Sequence, residues 1–273
     1  MVALRLVYRL LLILCAFSPL LGAYDLRVGP RAENEDETLG PLGVTLDYNM
    51  ASTWPKEKIR KGSSVQRNWV YSSRIRFFGF EGAETRLTDG QLWQIARDAW
   101  MEIDADMQYY GIGKKFKPKA MSVLAFPNEL ILVSSQRGLN SFAYDYPQSK
   151  VVKTLRLCQA VWRDTMGMDG THGNDASCGE VMAAHLYYTQ HTMPLSERNS
   201  RIVTLVNGNQ IGPCAGANRA KDTWACNLFV AAEGLNYLDT NIKPQTYDLS
   251  KVTGQAPDID QIPLCTGSIS KEV

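Results

Sequence analysis

The chain has 273 residues, a formal net charge of +1 and an ordinary globular composition, with 45% hydrophobic and 21% charged residues. This length is enough for one large domain with a substantial core, or for two small domains. A near-neutral surface gives no broad electrostatic attraction to nucleic acid or anionic membranes, which excludes the strongly basic binding proteins as a class.

The first 23 residues have the pattern of a secretory signal peptide. Arg5 and Arg9 precede an apolar run over residues 10–21, and Ala23 supplies the small residue that signal peptidase prefers. This run is too short to span a bilayer, which needs roughly 20 apolar residues. We therefore predict that residues 1–23 are cleaved and that the mature protein is secreted, extracellular and free of any membrane anchor.

The region that follows, residues 24–70, is largely polar. It carries an acidic cluster at residues 31–38, between Pro30 and Pro41. Such a composition is typical of a flexible extension or a propeptide. Residues 71–273 are then predicted to form a single domain.

The first half of this domain predicts a strand, a long helix and a hairpin. A short strand is expected within residues 74–80, where apolar residues alternate loosely. From Asp89 onward, apolar residues recur at helical intervals, and Gly111 provides the stop signal. Two β-prone runs at residues 121–126 and 129–134, separated by a short Pro-Asn turn, predict a β-hairpin.

The second half predicts helices and one strand, with no strand after residue 238. Helices are expected at residues 150–166, 178–191 and 221–238, and a strand at residues 201–206. The helices are indicated by apolar residues in helical register, and the strand is indicated by its β-branched residues.

Three cysteine positions suggest a reactive site. Cys178 and Glu180 open one predicted helix, Cys214 comes soon after the predicted strand, and Cys226 lies twelve residues beyond Cys214. Side chains in the first turn lean toward the N-terminus of a helix, where unpaired N–H groups and the positive dipole end favour a thiolate over a thiol. A thiol and a carboxyl group at a helix start can therefore face one shared site.

The residues Cys178, Glu180, Pro213 and Cys214, with the order of elements over residues 85–238, resemble the zinc-dependent nucleobase deaminase superfamily, which has His/Cys-x-Glu followed by Pro-Cys-x-x-Cys. The resemblance implies an α/β fold of αβα layers, with a central mixed sheet and flanking helices. It implies zinc held by Cys178, Cys214 and Cys226, with Glu180 as the proton shuttle. The implied substrate is a nucleobase, free, as a nucleoside or in single-stranded nucleic acid. The implied role of a secreted member is that of a toxin or effector.

The spacing of the cysteines departs from the family pattern. The third ligand is expected at position 217, which is Ala217. Residues 215–225 would have to loop out and return Cys226 to the metal, and a loop of this size adds little closure entropy.

The cysteine count also admits a non-catalytic interpretation. Of the six cysteines, one lies in the predicted signal peptide, which leaves five. Three metal ligands and a Cys158–Cys265 disulfide account for all five. Disulfides Cys158–Cys265 and Cys214–Cys226 with Cys178 free account for them equally well. The second arrangement describes a disulfide-stabilised binding or effector protein on the same scaffold.

Other residues near the motif have alternative roles. Ser177 and Glu180 have the spacing of a capping box, in which the glutamate only stabilises the helix end. His172 and Asn174, in the loop before the helix, are candidates for substrate contacts, and Asn174 is equally suited to capping.

Overall fold

The structure is a computed structural model. It describes residues 24, 26, 29–30, 40–55, 67–78, 87–214 and 223–265. The predicted signal peptide, the acidic cluster and part of the predicted insertion, residues 215–222, lie outside the described residues. Within the described part of the chain, no helix is both long enough and apolar enough to cross a membrane.

A central mixed sheet forms the middle layer. The described strands are β1 (Thr45–Leu46), β2 (Tyr71–Arg76), β3 (Ala120–Phe126), β4 (Glu129–Ser134), β5 (Thr171–His172), β6 (Arg201–Val206), β7 (Asn209–Ile211), β8 (Thr223–Trp224), β9 (Asn236–Tyr237) and β10 (Asp258–Asp260). Eight of them form one sheet in the order β1-β2-β4-β3-β6-β7, with β10 paired to β2 and β9 paired to β6. The β6–β9 pair is parallel and the other pairs of this sheet are antiparallel. Strands β5 and β8 form a separate parallel pair.

Helices cover both faces of this sheet. They are α1 (Tyr48–Thr53), α2 (Asp89–Tyr109), α3 (Phe142–Asp145), α4 (Val152–Met166), α5 (Gly179–Gln190), α6 (Cys226–Ala232) and α7 (Ser250–Thr253), with 3-10 turns at Lys114–Phe116 and Leu195–Glu197. Helix α2 packs against β3 and β6, and α5 packs against β3 and β4. Alternate residues of β3 separate two cores: Met121 and Val123 join the core under α2, and Leu124 and Phe126 join the core under α5. The predicted α/β fold of αβα layers is confirmed.

The long helix and the hairpin form where the sequence predicts them. At the start of α2, Thr88 and Gln91 make a reciprocal capping box, with hydrogen bonds of 2.9 and 3.2 Å. The β3–β4 turn places Asn128 in the left-handed region with φ of 64°, a conformation that asparagine adopts readily. The first predicted strand is displaced toward the N-terminus and spans Tyr71–Arg76.

The prediction of a helix over residues 221–238 is wrong. This segment forms strand β8, the short helix α6 and strand β9. Gly234, with φ of 66°, follows the end of α6, and β9 then runs parallel to β6. The prediction of no strand after residue 238 is also wrong, because β10 (Asp258–Asp260) pairs with β2.

Part of the predicted flexible extension belongs to the folded core. Leu42, Val44 and Leu46 are at most 2% exposed. The N–H groups of Leu42 and Val44 donate to the Glu102 carboxylate, and that of Leu46 donates to Asp106. Carboxylates of helix α2 thus accept hydrogen bonds from alternate N–H groups of residues 42–46. Residues 40–55 are therefore part of the domain.

The C-terminal segment is fixed through Leu264. Its N–H donates to the Asp47 carboxylate at 2.6 Å, and its carbonyl lies 3.1 Å from His185 Nε2. His185 Nδ1 accepts from the Lys150 N–H at 3.2 Å. These partners assign a neutral imidazole protonated at Nε2, and burial lowers the pKa of His185 to about 4.

The lowered pKa of His185 predicts that the free energy of unfolding depends on pH. Because the folded pKa lies below the ordinary value of 6.5, the unfolded chain binds more protons between pH 4 and 6.5. We expect the stabilisation from His185 to be complete above pH 6.5 and to fall by about 3 kcal/mol as the pH drops to 4. Burial raises the pKa of Asp47 to about 6, which acts in the opposite direction, so that stability falls as the pH rises from 3.8 to 6.

Comparison with a His185→Gln variant cancels the contribution of Asp47. We expect the difference in the free energy of unfolding between the two proteins, measured with urea, to shrink by about 3 kcal/mol from pH 7 to pH 4. A difference that does not change with pH would contradict the buried neutral histidine.

Candidate metal centre

Side chains from separate elements converge beside the N-terminus of α5. Cys178 is the N-cap of this helix, Cys226 is the first residue of α6, and His172 ends β5. All three are buried, and their ligand atoms lie within 4.8 Å of one another, so they could hold a metal ion. In a tetrahedral site with Zn–S bonds of about 2.3 Å, neighbouring sulfurs are roughly 3.8 Å apart. The cluster therefore needs only a small contraction to fit a metal of this kind.

Cys214 joins the same cluster from the segment after β7. It is half-buried, and its sulfur accepts a hydrogen bond from the Cys226 N–H at 3.4 Å. Hydrogen bonds from the Cys178 and Cys226 thiols hold the pKa of Cys214 far below its usual range. The pKa values of both donor thiols are raised. The main cause for Cys178 is its hydrogen bond to Cys214, and the main cause for Cys226 is its hydrogen bond to Cys178. Cys214 is thus hydrogen-bonded to Cys226, whereas the group whose ligand atoms all lie within 4.8 Å of one another consists of His172, Cys178 and Cys226.

The small parallel sheet returns Cys226 to the cluster. His172 of β5 lies in register with Trp224 of β8, and the Gly173 N–H donates to the Trp224 carbonyl at 2.8 Å. The rings of His172 and Trp224 meet edge to face at 4.8 Å between centroids. This arrangement is consistent with the prediction that residues 215–225 loop out between Cys214 and Cys226. The pairing of β8 with β5 positions the chain two residues before Cys226. The sequence contains no signal for β5, which is only two residues long.

The loop from β5 to α5 sets the orientation of the imidazole. His172 Nδ1 accepts hydrogen bonds from the N–H groups of Asn174 and Ala176, both at 3.1 Å. Asp175 and Ala176 have φ of 48° and 53°, left-handed conformations that cost energy for residues other than glycine and that bend the loop around the ring. His172 Nε2 lies 3.4 Å from Cys226 Sγ, and Asn174 Nδ2 lies 3.5 Å from Cys178 Sγ. The two candidates for substrate contacts therefore face the cysteine sulfurs.

Glu180 lies beside this cluster and does not form a capping box. The N-cap is Cys178 rather than Ser177, and it makes no side-chain capping bond, so the capping interpretation is wrong. The Glu180 side chain is 3% exposed, and burial raises its pKa to about 7. The charge of Cys214 raises this pKa further, and a hydrogen bond with Thr204 of β6 lowers it. Burial thus brings the pKa of this carboxyl group close to neutrality beside the cysteine sulfurs.

Gly179 allows the helix to approach the sheet at the point where it carries the motif. A Cβ atom at this position would lie 2.4 Å from Ser122 Oγ, 3.0 Å from Ser122 Cβ and 3.3 Å from the Val133 carbonyl. A side chain here would move α5 away from β3, together with Cys178 and Glu180 on either side of it.

We therefore expect Gly179→Ala to destabilise the protein by about 1–3 kcal/mol, because steric overlap with β3 outweighs the better helix propensity of alanine. Urea unfolding measures this change. Gly113→Ala is the matched control, since nothing lies within 4 Å of a Cβ atom there. Adding Ser122→Gly to Gly179→Ala should restore part of the loss. A Gly179→Ala variant as stable as the wild type would contradict the close approach.

The predicted disulfides are wrong. All five cysteines of the described residues are free thiols. Cys158 is buried in α4 beside the charge of Glu233, and burial raises its pKa to about 11. Cys265 is buried in the C-terminal segment beside the charge of Asp47, and burial raises its pKa to about 12. Cys158 and Cys265 belong to the same hydrophobic core, and neither forms a disulfide. Cys214 and Cys226 are in contact but are not joined by a disulfide.

No protein-family model matches the chain, and neither a curated protein nor a solved structure matches it. The function of the chain must therefore be inferred from the residues of this centre.

Proposed function

We propose that this protein is a secreted zinc-dependent hydrolase that removes an amino group from a nucleobase. The observation that carries the proposal is Glu180, a buried carboxyl group at the helix start that also carries Cys178, beside the cluster of free cysteines. A buried carboxyl group whose pKa is raised into the neutral range is typical of a residue that transfers protons.

The donor atoms fit zinc. Thiolate sulfur is a soft ligand, which favours zinc over magnesium or calcium. When bound, zinc supplies Lewis acidity that lowers the pKa of a water molecule toward neutrality. Cys178, Cys214 and Cys226 would hold the ion.

Glu180 would carry the proton in this reaction. Its carboxylate accepts a proton from the water that attacks the ring carbon bearing the amino group. It would deliver this first proton to the ring nitrogen. It would then carry the second proton, from the hydroxyl formed on the ring carbon, to the leaving amine, so that water and an aminated base become a carbonyl base and ammonia. With a pKa of about 7, the group can both accept and release a proton near neutral pH. The Thr204 hydrogen bond orients the carboxyl group for both steps.

The overall charge bears on the substrate class. A formal net charge of +1 offers little attraction for long polyanions. Free bases and nucleosides are therefore favoured over single-stranded nucleic acid as substrates. Export by the N-terminal signal would place the activity outside the producing cell, in the role of a toxin or effector.

A closed metal site is the second candidate, and the position of His172 favours it. Three cysteines and one histidine make a complete tetrahedral set, as in structural zinc sites, and such a site has no position for water. The protein would then be a non-catalytic binding or effector protein on the same scaffold, stabilised by metal.

Ammonia release tests the proposal. Zinc-loaded protein should convert at least one of cytosine, adenine, their nucleosides or a short single-stranded oligonucleotide into the product with oxygen in place of the amino group. The same protein after chelation serves as the control. Protein with one zinc per chain that converts none of these substrates would contradict the deaminase assignment.

A further inference from the structure

Each of the three cysteine sulfurs faces one N–H donor. The Asn174 side-chain amide donates to Cys178 at 3.5 Å, and the Cys226 backbone N–H donates to Cys214 at 3.4 Å. His172 Nε2 lies 3.4 Å from Cys226 Sγ. Two of these donors come from the single loop between β5 and α5.

The hydrogen bonds of the ring decide which role His172 has. A nitrogen that accepts from two N–H groups cannot itself carry a proton, so Nδ1 is unprotonated and the proton of the neutral ring is on Nε2. Binding a metal through Nε2 would require the proton to move to Nδ1, where it would oppose the N–H groups of Asn174 and Ala176. Histidine ligands normally offer their second nitrogen to a carboxylate, a carbonyl or water, which is the opposite arrangement.

The backbone holds the ring in this orientation. The left-handed residues Asp175 and Ala176 direct two N–H groups at Nδ1, and the pairing of β5 with β8 fixes the start of the loop. Trp224 packs against the edge of the ring. A rotation of the imidazole would break both hydrogen bonds at Nδ1.

We infer that His172 and Asn174 bind no metal and instead donate N–H···S hydrogen bonds to Cys226 and Cys178, so that the cysteines alone hold the ion. This inference rests on the proposed function in taking Cys178, Cys214 and Cys226 as the ligands. Three thiolates around a dication leave one net negative charge in a largely buried site, and N–H donors offset the cost of burying it. His172 and Asn174 are therefore positioning residues.

The number of protein ligands distinguishes the two candidate functions. Three protein ligands leave a coordination position for water, as in catalytic zinc sites, whereas a fourth ligand from His172 would fill it. The donor role of His172 thus keeps the centre open beside Glu180.

Nitrogen NMR of the imidazole rings tests this assignment directly. The chain has three histidines, so His172→Gln and His185→Gln variants assign every ring in a long-range proton–nitrogen spectrum of the labelled protein. We expect His172 to be protonated at Nε2 in the zinc-loaded protein, the same tautomer that His185 provides as an internal reference. A His172 ring protonated at Nδ1, with Nε2 shifted as a metal-bound nitrogen, would overturn the inference.

Zinc affinity, measured by competition with a chelator, gives an independent result. His172→Gln keeps an N–H donor and should retain one zinc per chain, with affinity lowered by no more than roughly 10- to 100-fold. His191→Gln, at the far end of α5, should bind zinc as the wild type does. Cys178→Ser should lose the metal. A loss in His172→Gln equal to that in Cys178→Ser would show that His172 is a ligand.

The outcome is separable from that of the proposed function. If the zinc-loaded protein shows the Nε2-protonated ring but deaminates no substrate, the inference holds and the proposed reaction fails. If the protein takes up no zinc, the proposed function and the cysteine-only metal site both fail. The ring of the metal-free protein then still tests the hydrogen bonds of His172, because a proton on Nδ1 would contradict them.

Discussion

Replacing Glu180 with glutamine is expected to lower the rate of deamination by roughly 100- to 10,000-fold, the range typical of a lost general acid–base group. Glutamine has nearly the same size and still accepts a hydrogen bond from Thr204, but it cannot take up a proton. Because burial already raises the pKa of Glu180 to about 7, a neutral side chain at this position should leave the fold and the zinc content unchanged.

The measurement is kcat/KM at pH 7 together with zinc per chain. Glu197→Gln is the matched control. Glu197 is exposed in the 3-10 turn before β6, so this variant has the same chemical change away from the centre. Full activity in Glu180→Gln would show that another group transfers the proton. Loss of zinc in this variant would show that Glu180 has a structural role instead.

Removing the metal is expected to lower the free energy of unfolding by about 4 kcal/mol, relative to protein in free zinc at about 1,000 times its dissociation constant. The physical reason is that an ion held by the proposed ligands would join three separate places in the fold: the N-cap of α5, the segment after β7 and the first residue of α6. No disulfide links the described cysteines, so the metal is the connection lost on chelation.

Urea unfolding with excess zinc and with chelator measures this effect. Cys178→Ser should be as unstable in zinc as the chelated wild type and should no longer respond to chelator. Cys158→Ser, which changes a buried thiol outside the cluster, should keep the full response. A wild-type protein with the same unfolding curve in zinc and in chelator would contradict a metal that joins these elements.

Local sequence patterns predict the elements whose conformation depends on residues nearby in the sequence. Helix α2 has a capping box, a helical apolar repeat and a glycine stop, and the β3–β4 hairpin has a clear turn. The edge strand β1 and its flanking segment are different, because their N–H groups pair with Glu102 and Asp106, about 60 positions away. The apolar spacing over residues 221–238 predicts a helix, but long-range pairing with β5 and β6 converts both ends of this segment into strands.

The same distinction holds for the centre. The motif residues Cys178, Glu180 and Cys214 are predicted from spacing and resemblance. In the structure Cys178 and Cys214 each lie near Cys226. The position of His172 could not be predicted, because it depends on left-handed conformations at Asp175 and Ala176. Alanine has no preference for that conformation, so the sequence of the loop gives no sign of it.

The most direct test of the central claim is zinc content and thiol alkylation, measured on one sample of the folded protein purified without chelator. We predict one zinc per chain. We also predict that the half-buried Cys214 is alkylated only after chelation, and that the buried Cys158 and Cys265 respond equally little before and after it. No zinc, together with alkylation of Cys214 at the same rate with and without chelator, would contradict a metal centre in this protein.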